Sequence, residues 1–330
     1  MADRGIEGNQ KKKYPCVLNS IVDEMKITQI KVPFPSEYGS GRSTNAYLLE
    51  GEAKILVDSG LDSEENRRFI RKTLEKAGAW DLDVILLTHG HLDHFSLGAY
   101  LQQETGAALM VHEADAGMLS DYSSHSSKWF EEAYEHAVEG GFDPSVLGEA
   151  RIKLITGASI LTRSAVYETF TETSLAGGTV RTLHLPGHTE GSVGVVAGEA
   201  VFCGDAAIEG STAVTDLKEE FNSLEKLKVF KFIYPGHERA PLARADIEAL
   251  ESHFVSRLEE VLRVTKGGAT LKEIVISLYR GLDLAQAPYK IILPINQAIS
   301  YLKYLEAEGH VEKRGRGWYS FRERLSSPVL

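Results

Sequence analysis

Four side chains within one short run of the sequence could bind metal ions. The run Thr88-His89-Gly90-His91-Leu92-Asp93-His94 follows a continuously apolar segment, which is typical of a buried strand. In extended chain, residues two apart face the same side, so His89 and His91 could both approach one ion. Asp93 and His94 come where the next helix would start and could reach a second ion beside the first. Imidazole and carboxylate groups suit zinc, iron and manganese.

Three later residues have the same chemistry and come at the ends of predicted strands. His188 and His237 each follow a Pro-Gly pair, which favours a tight turn that leaves the histidine at a strand end. Asp205 ends the apolar segment that begins at Phe202. Open sheets place their sites at strand ends, so the order His-x-His-x-Asp-His, His, Asp, His predicts one site for two metal ions.

Two similar hairpins predict how these motifs are positioned. Residues 45–57 contain two apolar runs separated by a glycine turn, and residues 192–204 repeat that pattern. In each segment an aspartate, Asp58 or Asp205, lies seven residues after the turn glycine. Two such segments indicate two related halves of one fold, with two sheets packed together and helices outside.

The last part of the chain predicts a small module of its own. Residues 244–266 predict a long helix, and Thr270-Leu271-Lys272-Glu273 fits a capping box that begins another. An apolar stripe over 292–305 predicts a further helix, and residues 309–321 have the pattern of strand, Gly-Arg-Gly turn and strand. We therefore predict three segments: a polar leader over 1–25, a catalytic domain over 26–250 and a winged-helix-like domain over 251–330.

Composition and charge limit the classes of function. The net charge of −11 favours solubility and disfavours nucleic acid as a general partner. No apolar stretch approaches the roughly 20 residues that a membrane span needs, and the N-terminus lacks the apolar core of a secretory signal. The two cysteines, Cys16 and Cys203, cannot make a disulfide framework. We expect a cytoplasmic protein without membrane association.

The order and spacing of the motifs resemble the metallo-β-lactamase superfamily, and in particular its glyoxalase II-like hydrolases, over residues 27–245. Further segments look like that family's recurring ones: Asn45-Ala46-Tyr47-Leu48-Leu49, Val57-Asp58-Ser59-Gly60 and Gly187-His188-Thr189-Glu190-Gly191-Ser192. The resemblance implies an α/β fold, the αββα four-layer sandwich with an internal pseudo-repeat. The C-terminal module resembles the winged-helix tail of the β-lactamase-like endoribonucleases.

The resemblance also implies roles for individual residues. A first ion would be held by His89, His91 and His188, a second by Asp93, His94 and His237, and Asp205 would bridge them. A water or hydroxide between the ions would be the nucleophile, with Asp93 and Asp205 as catalytic carboxylates. Asp58 would support a ligating histidine from behind. The expected cofactor is two divalent ions, with zinc as the first choice and iron or manganese as alternatives.

Several functions fit such a site. We predict hydrolysis of a small acyl substrate, namely a thioester, lactone, ester or amide, because the glyoxalase II-like resemblance and the acidic chain favour it. A metal-dependent endoribonuclease or phosphodiesterase is one alternative, since Lys313, Arg314 and Arg316 of the presumed wing could grip a phosphate backbone. A mononuclear iron enzyme similar to persulfide dioxygenases is a second, and a non-catalytic DNA-binding switch is a third. We expect the C-terminal module to pack on the first domain or to form a homodimer.

Other residues near the motifs are predicted to be structural. His112 follows a predicted strand and His184 precedes a Pro-Gly turn, so both are expected to be packed histidines. Cys203 lies within a predicted strand and is expected to be a buried thiol rather than a nucleophile. Tyr122 and Trp129 are predicted to be core residues at helical spacing.

Overall fold

The computed structural model describes residues 18–22, 25–35, 41–145, 147–148, 165–210, 212–281, 291–321 and 325. The predicted polar leader over 1–25 lies partly outside these residues, because positions 1–17, 23 and 24 are not described. Leu18–Val22 of that leader forms the first strand, β1.

Seven strands form the first sheet, in the order in which they occur in the chain. They are β1 Leu18–Val22, β2 Met25–Pro33, β3 Ser43–Glu50, β4 Lys54–Val57, β5 Val84–Leu86, β6 Ala108–His112 and β7 Tyr167–Phe170. The pairs from β1 to β4 are antiparallel, and those from β4 to β7 are parallel. The helices between them are α1 Glu64–Ala77, α2 Leu92–Phe95, α3 Gly98–Thr105, α4 Ala116–Ser120 and α5 Tyr122–Glu139.

Five strands form the second sheet, in the order β12-β11-β10-β9-β8. They are β8 Ser174–Leu175, β9 Val180–His184, β10 Val193–Ala197, β11 Ala200–Gly204 and β12 Phe232–Pro235, with α6 Leu217–Leu227 joining β11 to the parallel β12. The two predicted hairpins are β3–β4 and β10–β11. Each is followed by a parallel strand, β5 or β12, so the two halves share one local topology.

The two sheets pack face to face because successive side chains of each strand point to opposite faces of its sheet and pack in different layers. On β3, Tyr47 and Leu49 enter the core between the sheets, where Tyr47 lies 4.9 Å from Phe202 of β11 between ring centroids. Ala46 and Leu48 face the other way and pack in the core that includes α1 and α3. The outer face of the second sheet packs on α6 and α7 in the same manner. The fold is the αββα sandwich that the resemblance implied.

The remaining elements form a third, smaller sheet with helices. They are α7 Arg244–Thr265, β13 Ala269–Thr270, α8 Leu271–Leu278, α9 Ile292–Ala307, β14 Val311–Arg314 and β15 Gly317–Ser320, with the strands in the order β13-β15-β14. The predicted capping box is present, since Thr270 Oγ1 accepts from the Glu273 N–H and Glu273 accepts from the Thr270 N–H. α7 runs without a break across positions 250 and 251, where the sequence placed a domain boundary. In the described part of the chain, no helix combines the length and apolarity that crossing a bilayer requires.

The third sheet and its helices share a continuous core with the second half of the sandwich. Most side chains of α9 are buried, among them Ile295 and Tyr301, and the helix packs on α5, α6, α7 and α8. Gln297 Oε1 accepts a hydrogen bond from the Val214 N–H at 2.9 Å. Lys313 Nζ donates to Glu139 of α5 at 2.8 Å. The C-terminal elements therefore pack on the sandwich, as the sequence predicts.

Tyr47 connects the two sheets through its hydroxyl group, which donates to the Pro235 carbonyl at 2.6 Å in the buried core. We predict that Tyr47→Phe lowers the free energy of unfolding by about 1 kcal/mol, because the carbonyl loses one of its buried donors. Asn45 Nδ2 also donates to this carbonyl, at 3.0 Å, and keeps the loss small. Urea unfolding measures the effect, with Tyr134→Phe as a matched control. An unchanged stability of Tyr47→Phe would contradict this assignment.

Candidate metal centre

The structure brings all seven predicted ligands to one edge of the sandwich. They lie on the loop after β5 and the short helix α2, on the β9–β10 loop, and directly after β11 and β12. Their donor atoms form three overlapping groups, each within 4.8 Å: His89, His91 and His188; His89, His94 and Asp205; and Asp93, His94 and His237. The first and third groups are the two ligand sets that the resemblance implied, and the second places Asp205 between them.

Ring nitrogens of the cluster face one another at short distances. His91 Nδ1 lies 3.1 Å from His89 Nε2 and 2.8 Å from His188 Nε2. His94 Nε2 lies 3.2 Å from His237 Nε2. Two unprotonated ring nitrogens at such distances repel each other, so each pair requires a cation or a proton between its members.

Two carboxylates complete the cluster. Asp205 Oδ1 lies 3.4 Å from His94 Nε2, and its Oδ2 lies 3.5 Å from His237 Nε2 and 3.8 Å from His188 Nε2. Asp93 Oδ2 lies 3.2 Å from His237 Nε2. Asp205 Oδ1 is buried and accepts no hydrogen bond within the described residues. A buried carboxylate oxygen without a donor is costly, and a cation would remove that cost.

Backbone carbonyls determine the tautomers of two of the rings. His188 Nδ1 lies 2.5 Å from the Ala213 carbonyl, and His237 Nδ1 lies 2.9 Å from the Ser43 carbonyl. A carbonyl oxygen can only accept, so Nδ1 of each neutral ring carries the hydrogen. The lone pair on each Nε2 therefore points into the cluster.

Asp58 determines the orientation of two further rings, those of His94 and His89, through a relay of hydrogen bonds. Its Oδ2 accepts from His94 Nδ1 and from the Thr88 hydroxyl, each at 2.8 Å. Since the Thr88 hydroxyl donates to Asp58, its oxygen accepts from His89 Nδ1 at 3.1 Å. Asp58 also adopts a left-handed backbone with φ of 56°, which is unfavourable for a residue with a side chain. Both rings thus turn Nε2 toward the cluster.

The charges in the cluster shift the pKa values of its members in opposite directions. Burial, reinforced by His188, lowers the pKa of His91 to about 3 and leaves a neutral ring at pH 7. Burial alone would also lower the pKa of His237, but the charges and hydrogen bonds of Asp205 and Asp93 together outweigh burial and raise this pKa to about 12. The carboxylates thus attract positive charge while nearby rings offer lone pairs. Once a cation takes the place of the proton on His237, these imidazoles beside ionised carboxylates are a donor set for divalent zinc, iron or manganese, and the residues fit two such ions.

Thr88 and Asp115 support the cluster, although no sequence motif predicts a role for either. Thr88 is part of the relay from Asp58, and the buried Asp115 contacts the ligand loops on either side of it. The signal for Thr88 was its position directly before His89. Asp115 resembled an ordinary aspartate at the start of a helix, and only its contacts reveal more.

The residues predicted to be structural lie outside the cluster. His112 is buried as predicted, whereas His184 is exposed, and the two rings stack with centroids 4.6 Å apart and planes at 7°. Cys203 is buried, and burial raises the pKa of its thiol, which disfavours the nucleophilic thiolate. Tyr122 packs beside Phe95, and burial with the charge of Asp93 raises the pKa of its hydroxyl to about 12.

Comparison with known proteins identifies relatives of this chain. A sequence model of the metallo-beta-lactamase superfamily matches residues 39–251. A probable metallo-hydrolase of Methanocaldococcus jannaschii is 25% identical over 60% of this chain and 89% of its own length. A beta-lactamase-like protein 2 homolog of Caenorhabditis elegans is 27% identical over 82% of this chain and 81% of its own length.

Solved structures show the same fold. A metallo-beta-lactamase family protein from Thermus thermophilus matches 89% of this chain and 98% of its own, with a TM-score of 0.70 and 24% identity. A beta-lactamase domain protein from Burkholderia ambifaria matches 89% of this chain and 92% of its own, with a TM-score of 0.75 and 20% identity. Both matches cover more of the chain than the family model does, so the likeness extends beyond residues 39–251.

Asp58 provides a test of how the rings are oriented, because it contacts His94 directly and His89 through Thr88 but is not one of the predicted ligands. We predict that Asp58→Asn weakens zinc binding by about 10- to 100-fold, as is typical when a group behind a ligating histidine is lost. Competition with a chromophoric chelator measures the affinity. Asp83→Asn is the matched control, since Asp83 also accepts a backbone N–H, from Lys54, but lies away from the cluster. Equal affinities for both variants would show that the hydrogen bond to His94 is dispensable.

Proposed function

Because the chain belongs to the metallo-beta-lactamase superfamily, we propose that it is a binuclear metal-dependent hydrolase of the glyoxalase II-like kind. Its substrate would be a small acyl compound: a thioester, lactone, ester or amide. The observation that carries the proposal is the convergence of five imidazoles and two carboxylates, with donor atoms within 4.8 Å in each group. A cluster of this composition needs cations to be stable in a buried site.

The protein's own residues would divide the work as follows. The five histidines, Asp93 and Asp205 would hold the ions and keep the site rigid. Bound there, two divalent ions supply Lewis acidity, which lowers the pKa of water and polarises an acyl carbonyl. Asp93 is the more accessible carboxylate, with 27% of its side chain exposed against 11% for Asp205. Besides its role as a ligand, Asp93 would therefore orient the attacking water.

Electrostatics favour a small acyl substrate over a nucleic acid. The chain carries a net charge of −11, which repels a phosphate backbone. Two basic residues of the presumed wing are engaged with acidic neighbours, Lys313 with Glu139 and Arg314 with Glu312. Partly neutralised cations grip phosphates less strongly. The first test below therefore distinguishes endoribonuclease activity from hydrolysis of an acyl substrate.

We also propose that the C-terminal elements form a winged-helix module with a supporting role. The order of helices and strands and the sheet order β13-β15-β14 support the assignment. In a DNA-reading winged helix, the recognition helix must be exposed. Here the helix at that position, α9, is mostly buried against the sandwich. We therefore assign the module to stabilising the second half of the catalytic domain.

The proposed metal is zinc, with iron or manganese as alternatives. Nitrogen and oxygen donors suit all three, and affinity order alone does not select among them in a cell. The persulfide dioxygenase-like alternative needs a single iron held by two histidines and one carboxylate. The two complete ligand groups favour two ions over one.

The first test is the number and identity of metal ions in protein purified without added metal. We expect about two zinc ions per chain, a stoichiometry that follows from two separate ligand sets. Activity on a panel of thioesters, lactones, esters and amides should vanish with a chelator and return with zinc. One iron per chain would contradict the proposed hydrolase and favour the oxidoreductase alternative. Cleavage of RNA alone would show that the substrate is RNA rather than an acyl compound. Protein that takes up no metal would overturn the proposal.

Single histidine variants test the same proposal without a chelator. His89→Ala should lower the hydrolysis rate by about 10²- to 10³-fold, the range typical when one stabilising group is removed from an active site. His253→Ala is the matched control, because His253 lies on α7 beside Phe254 and away from the cluster. Full activity of a folded His89→Ala variant would show that the cluster is not the active site.

A further inference from the structure

Asp115 is a fully buried carboxylate that joins two separate ligand loops. Its Oδ2 accepts from the Gly90 N–H at 2.8 Å and from the Thr189 hydroxyl at 2.7 Å. Its Oδ1 accepts from the Gly191 N–H at 2.8 Å. Gly90 lies between His89 and His91, while Thr189 and Gly191 follow His188. One carboxylate therefore fixes the backbone of both loops that supply the first ligand set.

The local structure of Asp115 shows that these contacts replace the helix-capping hydrogen bond that an aspartate usually makes at this position. Asp115 occupies the N-cap position of α4, where an aspartate usually accepts a hydrogen bond from its own helix. Its side chain makes no such capping bond and turns toward the loops instead. The carboxylate accepts three hydrogen bonds without leaving either oxygen idle, and charge-assisted bonds of this kind are stronger than neutral ones.

The two glycines allow the loops to approach Asp115 closely. A Cβ atom at Gly191 would lie 2.6 Å from Asp115 Cγ, and one at Gly90 would lie 3.2 Å from Asp115 Cβ and 2.9 Å from Met118 Sδ. A side chain at position 191 would therefore displace the carboxylate. The loops and Asp115 are built as one tightly packed unit.

We propose that Asp115 is a positioning residue that sets the distance between the His89–His91 loop and the His188 loop, and thereby the affinity for the first metal ion alone. This inference rests on the proposed function, since it assumes that the cluster binds two ions. His94 and His237 of the second set have other supports, because His94 contacts Asp58 and His237 contacts the Ser43 carbonyl. Loss of Asp115 would leave those supports in place.

The central experiment measures stepwise zinc binding to Asp115→Asn by chelator competition. Asparagine has the same shape but only one acceptor oxygen, so its amide NH₂ must face one of the two glycine N–H donors. We expect the affinity for one ion to fall by about 10- to 100-fold and the affinity for the other to stay unchanged. His89→Ala, which removes a ligand of the first set, identifies which binding step belongs to that set.

Two further variants keep the test decisive. Asp121→Asn is the matched control: Asp121 also accepts a backbone N–H at a helix start, from Ser124, and contacts neither ligand loop. It should bind both ions as the wild type does. If Asp115→Asn does not fold, Thr189→Val removes a single donor to the same carboxylate and should weaken the same step to a smaller degree.

The outcomes separate this inference from the proposed function. Weakening of only the step that His89→Ala abolishes supports the positioning role. Unchanged affinities for both ions, or equal weakening of both, would overturn it while leaving the metal centre intact. If His89→Ala itself retains two tightly bound ions, the proposed metal centre fails, and the role of Asp115 fails with it.

Discussion

The hydrogen bonds behind the imidazole rings are the constraint on which the site depends. Four of the five rings donate their outer N–H to an oxygen, which directs the inner nitrogen at the cluster, where it can bind a cation. The acceptors are Asp58, the Thr88 hydroxyl and the carbonyls of Ser43 and Ala213. They belong to distant parts of the chain, so the cluster forms only when both sheets are in place. Correct orientation of the rings therefore requires that both sheets are folded.

The edge of the sandwich meets this requirement because backbone hydrogen bonds cross from one sheet to the other. The Val193 N–H donates to the Thr88 carbonyl at 2.8 Å, and the Asn45 N–H donates to the Gly236 carbonyl at 2.7 Å. Each bond joins a ligand loop of one half to a strand of the other. A site built across such a seam has little freedom to rearrange, which suits donors that must be in place before their ion arrives.

The residues of the cluster could be predicted from the sequence, whereas most of their supports could not. Four of the seven lie within six residues, His188 and His237 follow turns that Pro-Gly pairs make recognisable, and Asp205 follows an apolar strand. The hairpins and the capping box at Thr270 also have local signals, and the structure contains them. By contrast, the carbonyls of Ser43 and Ala213 could come from any residue type, so no side chain marks them. The long helix α7 likewise continued past the predicted boundary, because its apolar stripe serves both modules.

The C-terminal elements reach the site through a short chain of contacts. Gln297 of α9 accepts from the Val214 N–H, and the neighbouring Ala213 carbonyl accepts from His188 Nδ1. The segment that fixes the tautomer of His188 is therefore held between the second sheet and a helix of the added module. Val214 and α9 also share one apolar core, so this support is packed as well as hydrogen-bonded. Because packed cores transmit strain, we expect changes in α9 to alter the position of the His188 loop without any direct contact with the substrate.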